Sequence, residues 1–199
     1  MVVKTKIQVN LAELKRWYID LKQKWEALER LEPSESIYYQ KYVVQGTAFG
    51  WPLQNSTEPH FQNSPFCRSR TGQKDLESLT YTTFNHYACG YAEKVLSYFT
   101  EAHLSRVYVL ESGFEWNWHV DSPHSQRMVI AIETNEKSFI LFDRNKEDKF
   151  HIPADGYVYV IDSRKEHKAY NHGGAERVHL LWSMQSKDVS KYLNNEVLL

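Results

Sequence analysis

Apolar residues recur at Leu11, Leu14, Tyr18, Leu21, Trp25 and Leu28, a 3-4-3-4-3 spacing that lays them along one face of a helix. The predicted helix runs from Asn10 to Leu31. Asn10 is its capping side chain, Glu13 can reach back as in a capping box, and Pro33 stops propagation. Such a stripe suits a helix packed on the outside of a sheet. The alternative is a dimer seam, and fewer than three heptads make only a marginal coiled coil.

An aromatic strand is expected at Ile37–Val44, then a long Pro/Asn/Ser/Gln-rich loop from Trp51 to Gln73 with the character of a lid or a surface excursion. Ala88, Tyr91, Ala92, Val95 and Phe99 share a face, which predicts a second helix over Tyr87–Thr100. From Leu104 the texture changes to short β-rich runs: Arg106–Leu110, Arg127–Thr134, Ser138–Phe142, Tyr157–Ile161 and Arg177–Met184. Asp143-Arg144-Asn145, Pro153-Ala154-Asp155-Gly156 and Asn171-His172-Gly173-Gly174 read as the turns between them. Helices followed by many short strands point to a mainly β sandwich or barrel with flanking helices.

Composition narrows this picture. The 199 residues are 42% hydrophobic with 8 Gly and 6 Pro, enough for one well-buried domain and incompatible with global disorder or a collagen repeat. A balance of 24 basic against 25 acidic residues leaves a formal charge of −1, so no nucleic-acid partner is expected. The longest apolar run, Tyr157–Ile161, falls far short of the ~20 residues that span a bilayer. The N-terminus lacks the apolar core of a signal peptide, and Cys67 and Cys89 show neither metal spacing nor a nucleophile's context. The expectation is a reduced, cytoplasmic protein in which Asn55-Ser56-Thr57 is a chance sequon.

Chemistry concentrates in the β half, where six of the nine histidines fall between His119 and His179. His119-Val120-Asp121 is the sharpest local signal. On a strand residues i and i+2 point the same way, so an imidazole and a carboxylate project together. With one more histidine they would form a two-histidine, one-carboxylate facial triad, which leaves three positions of an octahedral metal open. His167, His172 and His151 are the candidates for that third ligand. His167 has the best placement, because the Asn171–Gly174 turn would fold Arg177 back beside it.

The run Arg177-Val178-His179-Leu180-Leu181-Trp182 alternates, so Arg177 and His179 share a face. A buried arginine needs an anionic partner, and its own strand holds none, which points to an anionic ligand or to a distant Asp or Glu. Arg127 is a second cation on an otherwise apolar strand.

These residues resemble the aspartyl/asparaginyl β-hydroxylase and proline hydroxylase branch of the Fe(II)/2-oxoglutarate-dependent oxygenases. The likeness covers Arg106 to Met184. It rests on His119-Val120-Asp121 with Arg127, Glu133-Thr134-Asn135, Ile152-Pro153-Ala154-Asp155-Gly156 leading into Ile161-Asp162-Ser163, His167-Lys168-Ala169-Tyr170-Asn171, and Arg177-Val178-His179-Leu180; Gly50-Trp51-Pro52-Leu53 fits more loosely. The resemblance implies a cupin-like double-stranded β-helix (jelly roll) at residues 104–185, within a single domain 1–199 whose residues 1–36 form an N-terminal helical extension.

It also implies Fe(II) held by His119, Asp121 and His167, with 2-oxoglutarate and O2 as cosubstrates. Arg177 would pair with the distal carboxylate of 2-oxoglutarate, Arg127 would lie near its other end, and Tyr108 would face it. His179 would hydrogen-bond the cosubstrate or serve as a core histidine. Trp116 and Trp118 would line the mouth or pack on the sheet, and His124 would sit on the rim. His60, His86, His103 and His151 receive no role. The implied reaction is hydroxylation of an unactivated C–H bond of an amino acid or amino-acid residue. Two alternatives stand beside it: a cupin-type isomerase, lyase or non-catalytic ligand module, and an interaction protein that dimerises through its N-terminal helix.

Overall fold

Strands of the C-terminal half carry two different kinds of face, and each face meets a separate core. The computed structural model describes residues 1–31, 42–45, 48–57, 80–85, 88–146 and 148–199, with backbone alone for 25–31, 42–45, 48–50, 52 and 56. In chain order the elements begin with β1 (Val2–Gln8), α1 (Leu11–Leu31), β2 (Tyr42–Gln45), β3 (Ala48–Pro52), β4 (Gln54–Ser56), β5 (Tyr81–Phe84) and α2 (Tyr91–Ser97). There follow β6 (His103–Leu110), β7 (Phe114–Glu115), β8 (Ser125–Glu133), β9 (Ser138–Phe142), β10 (Asp148–Phe150) and β11 (Tyr157–Ile161). The chain ends with β12 (His167–Asn171), β13 (Arg177–Gln185), α3 (Ser186–Leu193) and β14 (Val197–Leu198).

A major sheet runs in the order β14-β1-β11-β8-β13-β6-β3-β2, a minor sheet in the order β10-β9-β12-β7, and β4 and β5 form a separate pair. From β6 to β13 the chain passes back and forth between the two large sheets, which is the winding of a double-stranded β-helix of the cupin kind. Strand alternation decides what lies inside. On β13, Val178, Leu180, Trp182 and Met184 join the core on the outer side of the major sheet, with Val107, Val109, Met128 and Ile130. The opposite faces close on Val129, Ala131, Ile140, Phe142, Tyr159 and Ile161 between the sheets.

Helix α1 packs on the outer side, burying Leu14, Trp17, Tyr18 and Leu21 in the first core. This is the sheet-packing role expected of its apolar stripe; Trp25 and Leu28 lie outside the described side chains. The Glu13 backbone N–H donates to Asn10 Oδ1 at 3.2 Å and the Asn10 side-chain amide donates to the Glu13 carboxylate at 3.3 Å, so the cap is reciprocal, with the Asn10 side chain both accepting and donating. The Asn10 backbone N–H goes instead to the Tyr91 hydroxyl, which ties α1 to α2.

Several expectations are corrected. Residues 2–8, ahead of the helix, form an integral strand of the major sheet that pairs antiparallel with β11. The second helix is shorter than Tyr87–Thr100, because Gly90 at φ 101° interrupts the backbone ahead of it. Trp51–Ser56, expected to open a loop, belongs to β3 and β4, while residues 58–73 lie outside the described residues, as do Pro33, Ile37–Lys41, His60, Cys67 and His86. Among the described residues no helix is long and apolar enough to cross a membrane.

The turn before β11 shows how closely the chain approaches itself. Gly156 has φ 80°, and a Cβ there would stand 2.9 Å from the Val9 carbonyl oxygen. Its own carbonyl accepts the Val9 N–H at 2.8 Å. Gly156→Ala is therefore expected to lower unfolding stability by about 1–3 kcal/mol, read from a shifted urea midpoint at constant slope.

Candidate metal centre

His119 and His167 face each other across an antiparallel bridge, each donating its backbone N–H to the other's carbonyl at 2.9 Å. That bridge sets the imidazole centroids 4.4 Å apart. The Asp121 N–H bonds to Ser163 O at 3.1 Å, which aims the carboxylate back toward the histidines, while Val120 between them is half exposed. His119, Asp121 and His167 can present ligand atoms that all lie within 4.8 Å of one another.

The tautomers are prepared for a metal. His119 Nδ1 lies 2.7 Å from Asn117 O, and His167 Nδ1 lies 2.9 Å from Lys165 O. A carbonyl oxygen only accepts, so both Nδ1 atoms carry the proton and each ring presents its one lone pair on Nε2. Burial pushes the His167 imidazole below its ordinary value, which keeps it neutral near pH 7.

Asp121 divides its two oxygens. Oδ1 lies 3.7 Å from His119 Nε2, while Oδ2 accepts from Arg127 Nε at 2.9 Å. Burial by itself would raise the Asp121 carboxyl. The charge of Arg127 and its hydrogen bond outweigh it and hold the group far below the usual carboxylate range. Two imidazole nitrogens and one ionised carboxylate oxygen are a donor set that fits Fe(II) with three open positions.

Arg127, expected near the cosubstrate, bonds the metal-side carboxylate and also donates to the Ser183 hydroxyl. Ser183 was not anticipated, although the Arg177/His179 alternation continued along β13 places it on that same face. The structure also separates the candidates for the third ligand. His172 is exposed, stacked on Tyr170 at 4.2 Å, and 3.4 Å from Glu115. His151 holds Ser138 O at 3.0 Å, and neither histidine joins the triad among the described residues.

Further into the barrel, β13 and β6 pair so that His179 stands opposite Tyr108 and Arg177 opposite Leu110. Arg177 is 5% exposed, and its Nε has no hydrogen-bond partner. No carboxylate among the described residues forms an ion pair with it. Burial pulls its guanidinium down to about 10, with the Tyr108 hydroxyl a smaller opposing influence, so it is a cation at neutral pH. His179 is buried too, its Nε2 is unbonded, and burial together with Arg177 keeps it neutral. Burial also raises the Tyr108 hydroxyl, against the pull of Arg106 and Arg177. Arg106, two residues before Tyr108 on β6, places its guanidinium 5.9 Å from the Tyr108 ring; the strand's period of two was its available signal.

At the mouth, Trp116 donates its indole N–H to His119 Nε2 at 3.0 Å and packs on Phe114. Trp118 lies between Arg144 and Lys168, at 5.6 and 5.5 Å. His124 is exposed on the rim, where its carbonyl accepts from the Ser186 backbone and hydroxyl.

Neither protein-family models nor curated proteins match this chain. Solved structures do. The non-heme monooxygenase ThoJ, as a nickel complex, superposes with a TM-score of 0.50 over 92% of this chain and 73% of its own, at 12% identity. A 2OG-Fe(II) oxygenase family oxidoreductase from Burkholderia pseudomallei matches at 0.41 over 90% of this chain and 82% of its own, also at 12% identity. The capsular polysaccharide assembling protein CapF from Staphylococcus aureus matches at 0.32 and 19% identity over 41% of this chain, which spans 22% of that protein. The strand order is that of a cupin-like double-stranded β-helix, and the ThoJ superposition shows a shared overall fold.

Proposed function

We propose that this protein is an Fe(II)- and 2-oxoglutarate-dependent dioxygenase that hydroxylates an unactivated C–H bond of an amino acid or an amino-acid residue. The observation that carries this reading is Arg177, a buried cation with no anionic partner among the described residues, inside the barrel whose mouth carries the triad. A charge in that position is tolerated when a carboxylate arrives to neutralise it. The resemblance to the amino-acid hydroxylase branch supports the substrate class.

His119, Asp121 and His167 would hold the iron, which when bound supplies the activation of O2 coupled to decarboxylation of the oxo acid to succinate and CO2. The chain's own part is positioning. Asn117 O and Lys165 O hold the two imidazoles in the Nδ1-protonated form. Arg127 occupies one oxygen of Asp121, and the other, on the side of His119, would be the one offered to the metal. Arg177 would take the far carboxylate of the oxo acid in a bidentate pair, with Tyr108 and His179 as neutral donors beside it. The apolar walls from Ile140, Phe142 and Val129 exclude water from the space between.

The test is an anaerobic titration of metal-free protein with Fe(II) and then 2-oxoglutarate. The expected result is a visible charge-transfer band that appears only when both are present. Iron binding without that band would refute the cosubstrate assignment, and absence of iron binding would refute the triad.

A further inference from the structure

We propose that Trp116 caps the metal-binding lone pair of His119, so that metal entry must displace its indole; the inference rests on the metal-centre reading above. The Asn117 carbonyl fixes the proton of His119 on Nδ1, which leaves Nε2 one lone pair in the ring plane. The Trp116 Nε1–H points at that same atom from 3.0 Å, with the two rings nearly perpendicular at 84°. One lone pair cannot serve an N–H donor and a metal ion together.

The side chain free to yield is the tryptophan. His119 is held by the paired backbone bonds to His167 and by Asn117 O. The backbone of Trp116 is also fixed, its N–H donating to Ala169 O at 2.7 Å, so the change is confined to the indole's side-chain torsions. The ring is only partly buried. Trp118, two residues on, provides the contrast: its ring lies 5.6 Å from the Arg144 guanidinium and 5.5 Å from Lys168 Nζ.

The experiment uses the full chain stripped of metal, with Zn(II) alone as the probe, because its closed shell does not quench indoles. Calorimetry compares the wild type with Trp116→Phe and Trp118→Phe. The Trp116→Phe variant keeps an aromatic ring and loses the competing donor, so it is expected to bind Zn(II) roughly tenfold more tightly, the net value of one hydrogen bond. Trp118→Phe is expected to match the wild type. In the wild type, the indole N–H resonance of Trp116, assigned through its contact with Phe114, is expected downfield without metal and to move upfield on Zn(II) saturation. That second measurement needs no variant to fold. Equal or weaker Zn(II) binding by folded Trp116→Phe, or a resonance that stays in place at saturation, overturns the proposal. Failure of the wild type to bind Zn(II) at all overturns the metal centre first and this inference with it.

Discussion

Asp121→Ala is expected to lower both metal affinity and turnover by more than about 100-fold while the double-stranded β-helix stays folded. Changes to the partners that merely orient metal ligands typically cost about 10–100-fold, and this substitution removes a ligand itself. It removes the Oδ1 atom nearest His119 Nε2 and the acceptor of Arg127 Nε at 2.9 Å. Arg127 is then left with the Ser183 hydroxyl alone, its side chain only 12% exposed, so a stability loss of about 1–3 kcal/mol is expected as well. The two effects separate in a double variant. Adding Arg127→Met removes the stranded cation and is expected to restore most of the stability, since deleting both partners of a pair is far milder than deleting one, while metal affinity stays lost. Denaturant midpoints report the first effect, calorimetry with Fe(II) or Zn(II) and succinate release the second. Full metal binding by Asp121→Ala would show that the carboxylate is a structural partner of Arg127 and not a ligand.

How much of this was legible in the sequence depended on whether a residue's surroundings were periodic. The stripe Leu14, Tyr18, Leu21 announced α1 because every member faces one apolar core. The runs that became β6, β8, β9, β11 and β13 were legible for the same reason, although their ends shifted by up to three residues. β1 escaped notice because a buried Thr5, its hydroxyl donating to Val158 O at 2.9 Å, stands where an apolar residue would have completed the alternation. β12 escaped because its inward residues are His167, Ala169 and Asn171, which serve the site and the closure of the barrel and not a hydrophobic core. His119 and Asp121 were legible from their i, i+2 spacing, yet what aligns them with His167 is a single bridge and one bond to Ser163 O, long-range contacts without a local signal. Arg127 was legible as an inward cation and its partner was not. Asp121 lies six residues away, but β8 has first to enter the other sheet before the two can meet.

Arg177→Met is expected to raise the unfolding stability of the metal-free protein by about 1–3 kcal/mol and at the same time to raise the apparent requirement for 2-oxoglutarate by about 100-fold. The opposite signs follow from one fact. A guanidinium that is 5% exposed, with its Nε unbonded, is desolvated with little compensation from the protein, and burial pulls it down to about 10. Replacing such a charge by an apolar side chain of similar length removes that penalty. A carboxylate held by two charge-assisted hydrogen bonds gains several kcal/mol from the same guanidinium, and losing about 2.7 kcal/mol of it corresponds to the expected 100-fold. Arg177→Lys is expected to fall between the two, because an ammonium keeps the charge and loses the planar fork. Thermal unfolding with and without 2-oxoglutarate reads both quantities: the oxo acid should stabilise the wild type and leave Arg177→Met where it was. Apparent constants for substrate should stay within a few-fold. A variant that is less stable than the wild type would mean that Arg177 already has an internal partner. Unchanged 2-oxoglutarate dependence would mean that the anion it awaits is a different one. With both expected results in hand, the buried cation would oppose folding in the absence of ligand and favour the loaded state, a division expected at a binding site and without purpose in a core built only for stability.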